Sequence, residues 1–176
     1  MSIRSVSCAR RRSDYGKLLA LQARLPDVLT VSSDQADAPH HIGLRIAIPT
    51  AVDESFPRRS QAVSRVHITL GENYPFPPGP TVDFSTPIFN PNVFESGSWC
   101  YGWWQISENL ELFVMRLLRV IALDPQIVNT KSPANSDAAE WYSRARAANP
   151  TMFPTMSLSA AAAAPRPPAM QWRNIR

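Results

Sequence analysis

The sequence predicts an α+β domain: an N-terminal helix, a four-stranded antiparallel meander sheet, a long irregular loop, and two following helices. Three observations carry this. Residues 41–48 and 63–70 alternate apolar with smaller or polar side chains, the period of half-buried strands. Residues 110–121 place apolar side chains at helical spacing. Between them, Tyr74–Cys100 holds six of the seventeen prolines, and its proline-dense start excludes helix and central strand.

Taken in order, residues 1–12 are polar and basic and read as a loose segment. Ser13 can cap a helix whose first turn carries Asp14. Tyr15, Leu18, Leu19 and Leu25 give that helix one packing face, and Pro26 ends it. Strands follow at Val28–Val31, His41–Ile48, Val63–Leu70 and Thr81–Phe84, with a long loop over Pro49–Gln61. Consecutive strands on short links favour antiparallel neighbours. Ser107 or Asn109 caps a core helix running to Leu123, with Leu110, Phe113, Val114, Leu117, Leu118 and Ile121 on one stripe. Asp124-Pro125 stops it, and Gln126–Asn135 is a loop. Asn135 or Ser136 caps a last helix to about Ala148, with Trp141 and Tyr142 facing in. The chain thus divides into a basic segment 1–12, a domain 13–148 and an Ala/Pro-rich tail 149–176, the tail held down by Met152, Phe153 or Trp172.

A chain of 176 residues suffices for one domain with a core. The net charge of +4 is local: Arg4, Arg10, Arg11, Arg12, Lys17 and Arg24 face only Asp14 and Asp27. No basic run is interleaved with aromatics, so an acidic protein partner is favoured over nucleic acid. Two cysteines far apart make no disulfide framework. No apolar run is long enough for a membrane span, and the N-terminus lacks a signal-peptide core, so the cytoplasm is the expected location. His40, His41 and His67 have no ligand-spaced neighbours, so no metal site is expected; neither is a phosphate-binding glycine loop or any other cofactor.

Tyr74–Cys100 resembles the core signature of ubiquitin-conjugating enzymes. That signature runs Tyr-Pro-x-x-Pro-Pro, then Phe-x-Thr-x-Ile-x-His-Pro-Asn, then Gly-x-x-Cys with the cysteine eight residues after the Asn. Tyr74, Pro75, Phe76, Pro78, Phe84, Thr86, Ile88, Pro91, Asn92, Gly97 and Cys100 match it. Asn90 stands in place of the His, Gly79 in place of the second paired Pro, and Gly102 in place of an Asp after the cysteine.

The resemblance implies the ubiquitin-conjugating fold and a thioester chemistry. Cys100 would accept a ubiquitin-like modifier from an activating enzyme and pass it to an amine of a protein target. Asn92 would either stabilise the oxyanion of amine attack or brace the loop. Asn90 reads as a structural hydrogen-bonding partner. Ser132-Pro133 occupies the place of a gate residue that orients the incoming amine, with a plain turn serine as the equal alternative. The basic helix, through Arg10, Arg11, Arg12 and Lys17, resembles the surface that docks the activating enzyme; a solvated face is the bland alternative. Ser107-Glu108-Asn109 replaces the family's Ser-Pro-Ala contact for RING-type ligases while Phe76 is kept, so ligase binding stays open. The Ala/Arg/Pro-rich composition and trimmed ends fit a bacterial member of a modification system, some of which act in antiviral defence. The rival from another class is a catalytically inactive module of the same fold that holds a ubiquitin-like protein.

Overall fold

The computed structural model describes residues 3–153 and Thr155. Helix α1 spans Ile3–Arg24 and begins ten residues before the expected start at Ser13. Its buried residues are Ser7, Arg11, Asp14, Tyr15, Leu18 and Leu21, spaced three and four apart. The inward face therefore continues toward the N-terminus, but with polar side chains, to which apolar periodicity is blind. Leu19, expected on the packing face, is exposed; Leu21 is buried instead.

Strands β1 (Leu29–Ser33), β2 (His41–Ile46), β5 (Ser64–Thr69) and β6 (Thr81–Phe84) form one antiparallel sheet in the order β1-β2-β5-β6. Between β2 and β5, the expected long loop contains a two-residue ladder, β3 (Thr50–Ala51) with β4 (Ser60–Gln61). Strands this short show no period, which is why the sequence reads as loop there. In the main sheet Leu44 sits opposite Val66, and Val66 opposite Phe84. This register puts Leu29, Ile42, Leu44, Ile46, Val66, Ile68, Val82 and Phe84 into the core.

Helix α2 (Leu110–Ile121) is the centre of that core. Leu110, Phe113, Val114, Leu117, Leu118, Val120 and Ile121 are all buried. Asn109 is its N-cap, accepting from the Leu112 amide. Arg24 pairs with Glu111, and Arg10 donates to the carbonyls of Ile106 (2.8 Å) and Glu108 (2.5 Å), so polar ties fasten α1 to the start of α2. Helix α3 (Ser136–Ala148), capped by Asn135, closes a second cluster of Ala51, Leu123, Trp141, Tyr142 and Phe153. Phe153 stacks on Tyr142 at 4.5 Å and is 2 % exposed. Burying one such side chain stabilises by about 1.5–3 kcal/mol. The Tyr142 hydroxyl donates to the Leu123 carbonyl, and burial pushes its pKa up to about 12. Trp172 lies outside the described residues.

The proline-rich turn packs between α1 and the segment after Cys100. Tyr74 is buried, its hydroxyl donates to Asp14, and burial followed by the Asp14 carboxylate raises its pKa. Trp104 lies 5.6 Å from the Tyr74 ring, and its indole nitrogen donates to the Pro75 carbonyl at 2.6 Å. Gly79 has φ +88°, and a Cβ there would lie 2.5 Å from the Trp104 ring. A proline cannot take that φ, and any side chain would strike the indole. The glycine in the motif's place is thus the complement of Trp104. Gly79→Pro is expected to destabilise the protein by at least about 2 kcal/mol in denaturant unfolding. Unchanged stability would mean that Trp104 does not pack here.

Candidate catalytic site

The site is built on residues 88–100, the irregular chain between β6 and α2. Asn90 is fully buried. Its Nδ2 donates to the Val120 carbonyl in the last turn of α2 at 2.7 Å, and its Oδ1 accepts from the Asn92 amide at 2.9 Å. One amide group adds to a helix-end carbonyl that also accepts from the Leu123 amide at 3.0 Å, and it fixes the turn two residues on. The Pro91 carbonyl accepts from the amides of Ala134 (2.8 Å) and Asn135 (3.3 Å), which draws the end of the 126–135 loop onto the motif.

From Asn92 the chain makes a small hairpin. Val93 bridges Trp99, the Phe94 amide donates to Ser98, and the Gly97 amide donates to Phe94. Gly97 holds φ +92° with its Cβ position 2.8 Å from the Phe84 carbonyl oxygen, so only glycine fits. The hairpin runs back along β6 through Phe84–Gly97 and Trp99–Val82 backbone bonds. It returns the Cys100 amide to the Asn92 carbonyl at 2.8 Å. The eight-residue spacing between Asn92 and Cys100 is the length of this closed turn.

Cys100 is a free, exposed thiol between two anchored aromatic side chains. Trp99 is buried against Phe113, and the Tyr101 hydroxyl donates to the Pro80 carbonyl at 2.6 Å. Arg116 reaches from α2 to the Tyr101 carbonyl at 3.3 Å. Mobility at the cysteine backbone is therefore restrained on both sides while the sulfur faces solvent.

Asn92 is 9 % exposed and joins three segments. Its side-chain Oδ1 accepts from the Asn129 amide at 3.0 Å. Among the described residues its Nδ2 has no protein acceptor, and that atom is not sealed from the surface. The amide is thus oriented through its oxygen, with both N–H donors left available.

Asn129 is absent from the residues the sequence points to, and it shapes the 126–135 loop. Its Oδ1 accepts from the amides of Lys131 and Ser132, both at 3.1 Å, and its Nδ2 donates to the Ser132 carbonyl at 3.0 Å. An Asn opening a turn before Lys-Ser-Pro is a visible signal for such a turn. The root of the loop is held by Asp124, buried, paired with Arg119 at 2.7 Å and accepting from the Gln126 amide at 2.9 Å. Ser132 and Lys131 are exposed.

Other expected site residues lie elsewhere. Tyr74 and Pro75 sit against α1 and Trp104. Arg10 is spent on Asp14, Ile106 and Glu108, and its guanidinium lies over the Tyr74 ring. Arg11 is buried at 8 % exposure. Arg12 pairs with Asp37 on the surface at 2.6 Å, and that hydrogen bond lowers the Asp37 pKa. Lys17 is exposed. Glu108 pairs with Arg116 and Asn109 caps α2, so both residues in the place of the family's ligase motif have internal duties here. Trp103 and Ile106, just before that stretch, are exposed, and so is Phe76. Among the described residues no three His, Cys, Asp or Glu side chains group as metal ligands, and no helix is long and apolar enough to cross a membrane.

An N-terminal helix, a four-stranded meander, a cysteine-bearing loop and two closing helices define the ubiquitin-conjugating fold. The family model described as ubiquitin-conjugating enzyme matches residues 56–153, more than half of the chain, and the chain belongs to that family. It is similar to "Ubiquitin-conjugating enzyme E2-20 kDa" of Schizosaccharomyces pombe, 31 % identical over 84 residues. The match covers 46 % of this chain and 45 % of that protein, so the chain spans less than half the length of this relative.

Proposed function

We propose that the protein takes the C-terminus of a ubiquitin-like modifier from an activating enzyme as a thioester on Cys100 and transfers it to a lysine amine of a protein target. In the first step the modifier's acyl carbon moves from the activating enzyme's sulfur to the Cys100 sulfur, and the first sulfur leaves as a thiol. In the second a neutral amine attacks that carbon, an oxyanion forms, the Cys100 thiolate leaves, and an isopeptide bond remains. The observation that carries this reading is the closed turn that bonds the Cys100 amide to the Asn92 carbonyl, with an exposed thiol on one residue and free side-chain N–H donors on the other. Such donors stabilise the developing oxyanion. Ser132, on the Asn129-shaped turn, positions the amine. Docking of the activating enzyme on α1 rests on Lys17 and Arg12, because Arg10 and Arg11 are engaged inside the fold. The composition supports a bacterial, cytoplasmic member, and antiviral defence is the role that some such systems serve.

The direct test is incubation with a cognate activating enzyme, ATP and modifier. A reductant-sensitive adduct of this chain supports the proposal. Noncovalent modifier binding without any adduct would instead identify an inactive module.

The scarcity of lysine sharpens the reading. Only Lys17 and Lys131 are present. Lys131 is exposed in the loop tied to Asn92 through Asn129, while Lys17 is on α1. Tethering raises effective concentration by orders of magnitude. Without a target, reductant-stable self-modification is expected mainly on Lys131, read by mass spectrometry and by its decrease in Lys131→Arg. A mark on Lys17, or one undiminished in Lys131→Arg, would show that the gate loop is not the nearest source of amine.

A further inference from the structure

Arg11 carries a guanidinium into the interior without a carboxylate to meet it. Its Nε donates to the Ala38 carbonyl at 3.2 Å, and its Nη1 is buried with no partner. Two carboxylates close to it or to Ala38 in the chain are committed elsewhere. Asp14, three residues on along α1, is held by Arg10 and Tyr74. Asp37, next to Ala38, is held by Arg12. Ala38 itself stands at φ +50°, a left-handed backbone unusual for alanine, in the same place that presents its carbonyl to Arg11. An unpaired buried charge is costly, and a fold that keeps one has an unfilled demand for an anion.

Arg11 opens onto a cleft of about 280 Å³ lined by Arg4, Arg11, His40 and Glu72. Arg4 and Arg11 are seven residues apart on α1, so they share one face of the helix two turns apart. His40 forms another wall, its Nδ1 3.0 Å from the Leu70 carbonyl. Two guanidinium groups thus stand against one carboxylate, Glu72, which pairs with neither of them.

We propose that this cleft is a binding site for a phosphate group, with Arg11 as its buried anchor and Arg4 as its outer clamp. Guanidinium forks match phosphate oxygens in parallel pairs. Donors converging from two turns of a helix and from the facing β2 entrance suit a tetrahedral oxyanion with several oxygens better than a planar carboxylate with two. The volume admits either inorganic phosphate or the phosphate of a small organic ester. Glu72, at the rim, opposes an anion and sets the affinity below what the two arginines would give. None of the four lining residues belongs to the 88–100 segment that carries Cys100, and the proposed occupancy is independent of thioester chemistry.

The test uses the full chain alone, titrated with sodium phosphate, glycerol phosphate or acetate at matched ionic strength. The Arg11 Nε–H resonance and the thermal midpoint are followed. Saturable binding of phosphate with a Kd of about 1 mM is expected, with acetate at least about tenfold weaker. Arg4→Gln should weaken phosphate about fivefold or more, and Glu72→Gln should tighten it severalfold; both residues are exposed, so both variants keep their fold. Tighter glycerol phosphate than inorganic phosphate would assign an organic ester as the ligand, and the reverse order the free ion. No saturable change up to about 50 mM phosphate, an equal response to acetate, or indifference to both substitutions would overturn the site.

Discussion

Cys100→Ala is expected to give no modifier adduct under any charging condition, a complete loss of activity without loss of fold. The side chain is exposed, and its backbone contact to Asn92 is made by an amide that alanine retains, so little stability rests on the sulfur. Cys100→Ser separates nucleophile from leaving group. An alcohol attacks an acyl donor poorly at neutral pH and departs poorly from the ester it forms. That variant should either stay uncharged or accumulate a slow adduct that survives reductant. Cys8, half-buried on α1, is the internal control: Cys8→Ser should charge as the wild type does. The measurement is a non-reducing gel with and without thiol, alongside the thermal midpoint. An adduct that persists in Cys100→Ala would place the chemistry on another residue and end the present proposal.

Asn92→Ala is expected to slow discharge to free lysine by about a hundredfold while charging changes far less. Amine attack on the thioester builds charge on the carbonyl oxygen, and removing one preplaced donor costs about 2.7–4 kcal/mol at such a step. The structure also gives Asn92 a bracing duty, because its Oδ1 receives the Asn129 amide at 3.0 Å. Losing that bond costs about 1 kcal/mol of stability. The two duties lie on opposite ends of one amide and can be separated. Asn92→Asp keeps an oxygen for Asn129 and removes the N–H donors. If the donors act on the oxyanion, Asn92→Asp should hold its melting temperature and still lose discharge. If bracing is the whole role, discharge should follow stability in both variants, with charging and discharge falling together.

Much of this was readable in the chain. Apolar side chains recur with period two in β2 and β5 and at helical spacing in α2, and burial follows those patterns closely. The Asn109 and Asn135 caps are visible as polar residues ahead of periodic runs. The spacing from Asn92 to Cys100 located the proposed site, and the packing of the 93–99 hairpin against β6 supplies its reason. What escaped was polar. The first ten residues of α1 turn Ser7 and Arg11 inward, so no hydrophobic pattern announces that helix. Arg10 and Arg11 look like free surface charge in the sequence, yet one ties α1 to the chain before α2 and the other is buried. Asn129 reaches Asn92 across thirty-seven residues.

By itself the sequence determined the family, the kinds and order of the main elements, and the cysteine on which the proposed chemistry rests. Those features depend on apolar periodicity, turn chemistry and motif spacing, which are local and largely independent of direction. Only the tertiary structure decided which arginines stay on the surface, why Gly79 faces Trp104, and how the 126–135 loop is joined to Asn92. These depend on hydrogen bonds and close contacts between residues distant in the chain, and such contacts are directional and pairwise. A donor's role is set by the acceptor that packing brings within about 3 Å of it.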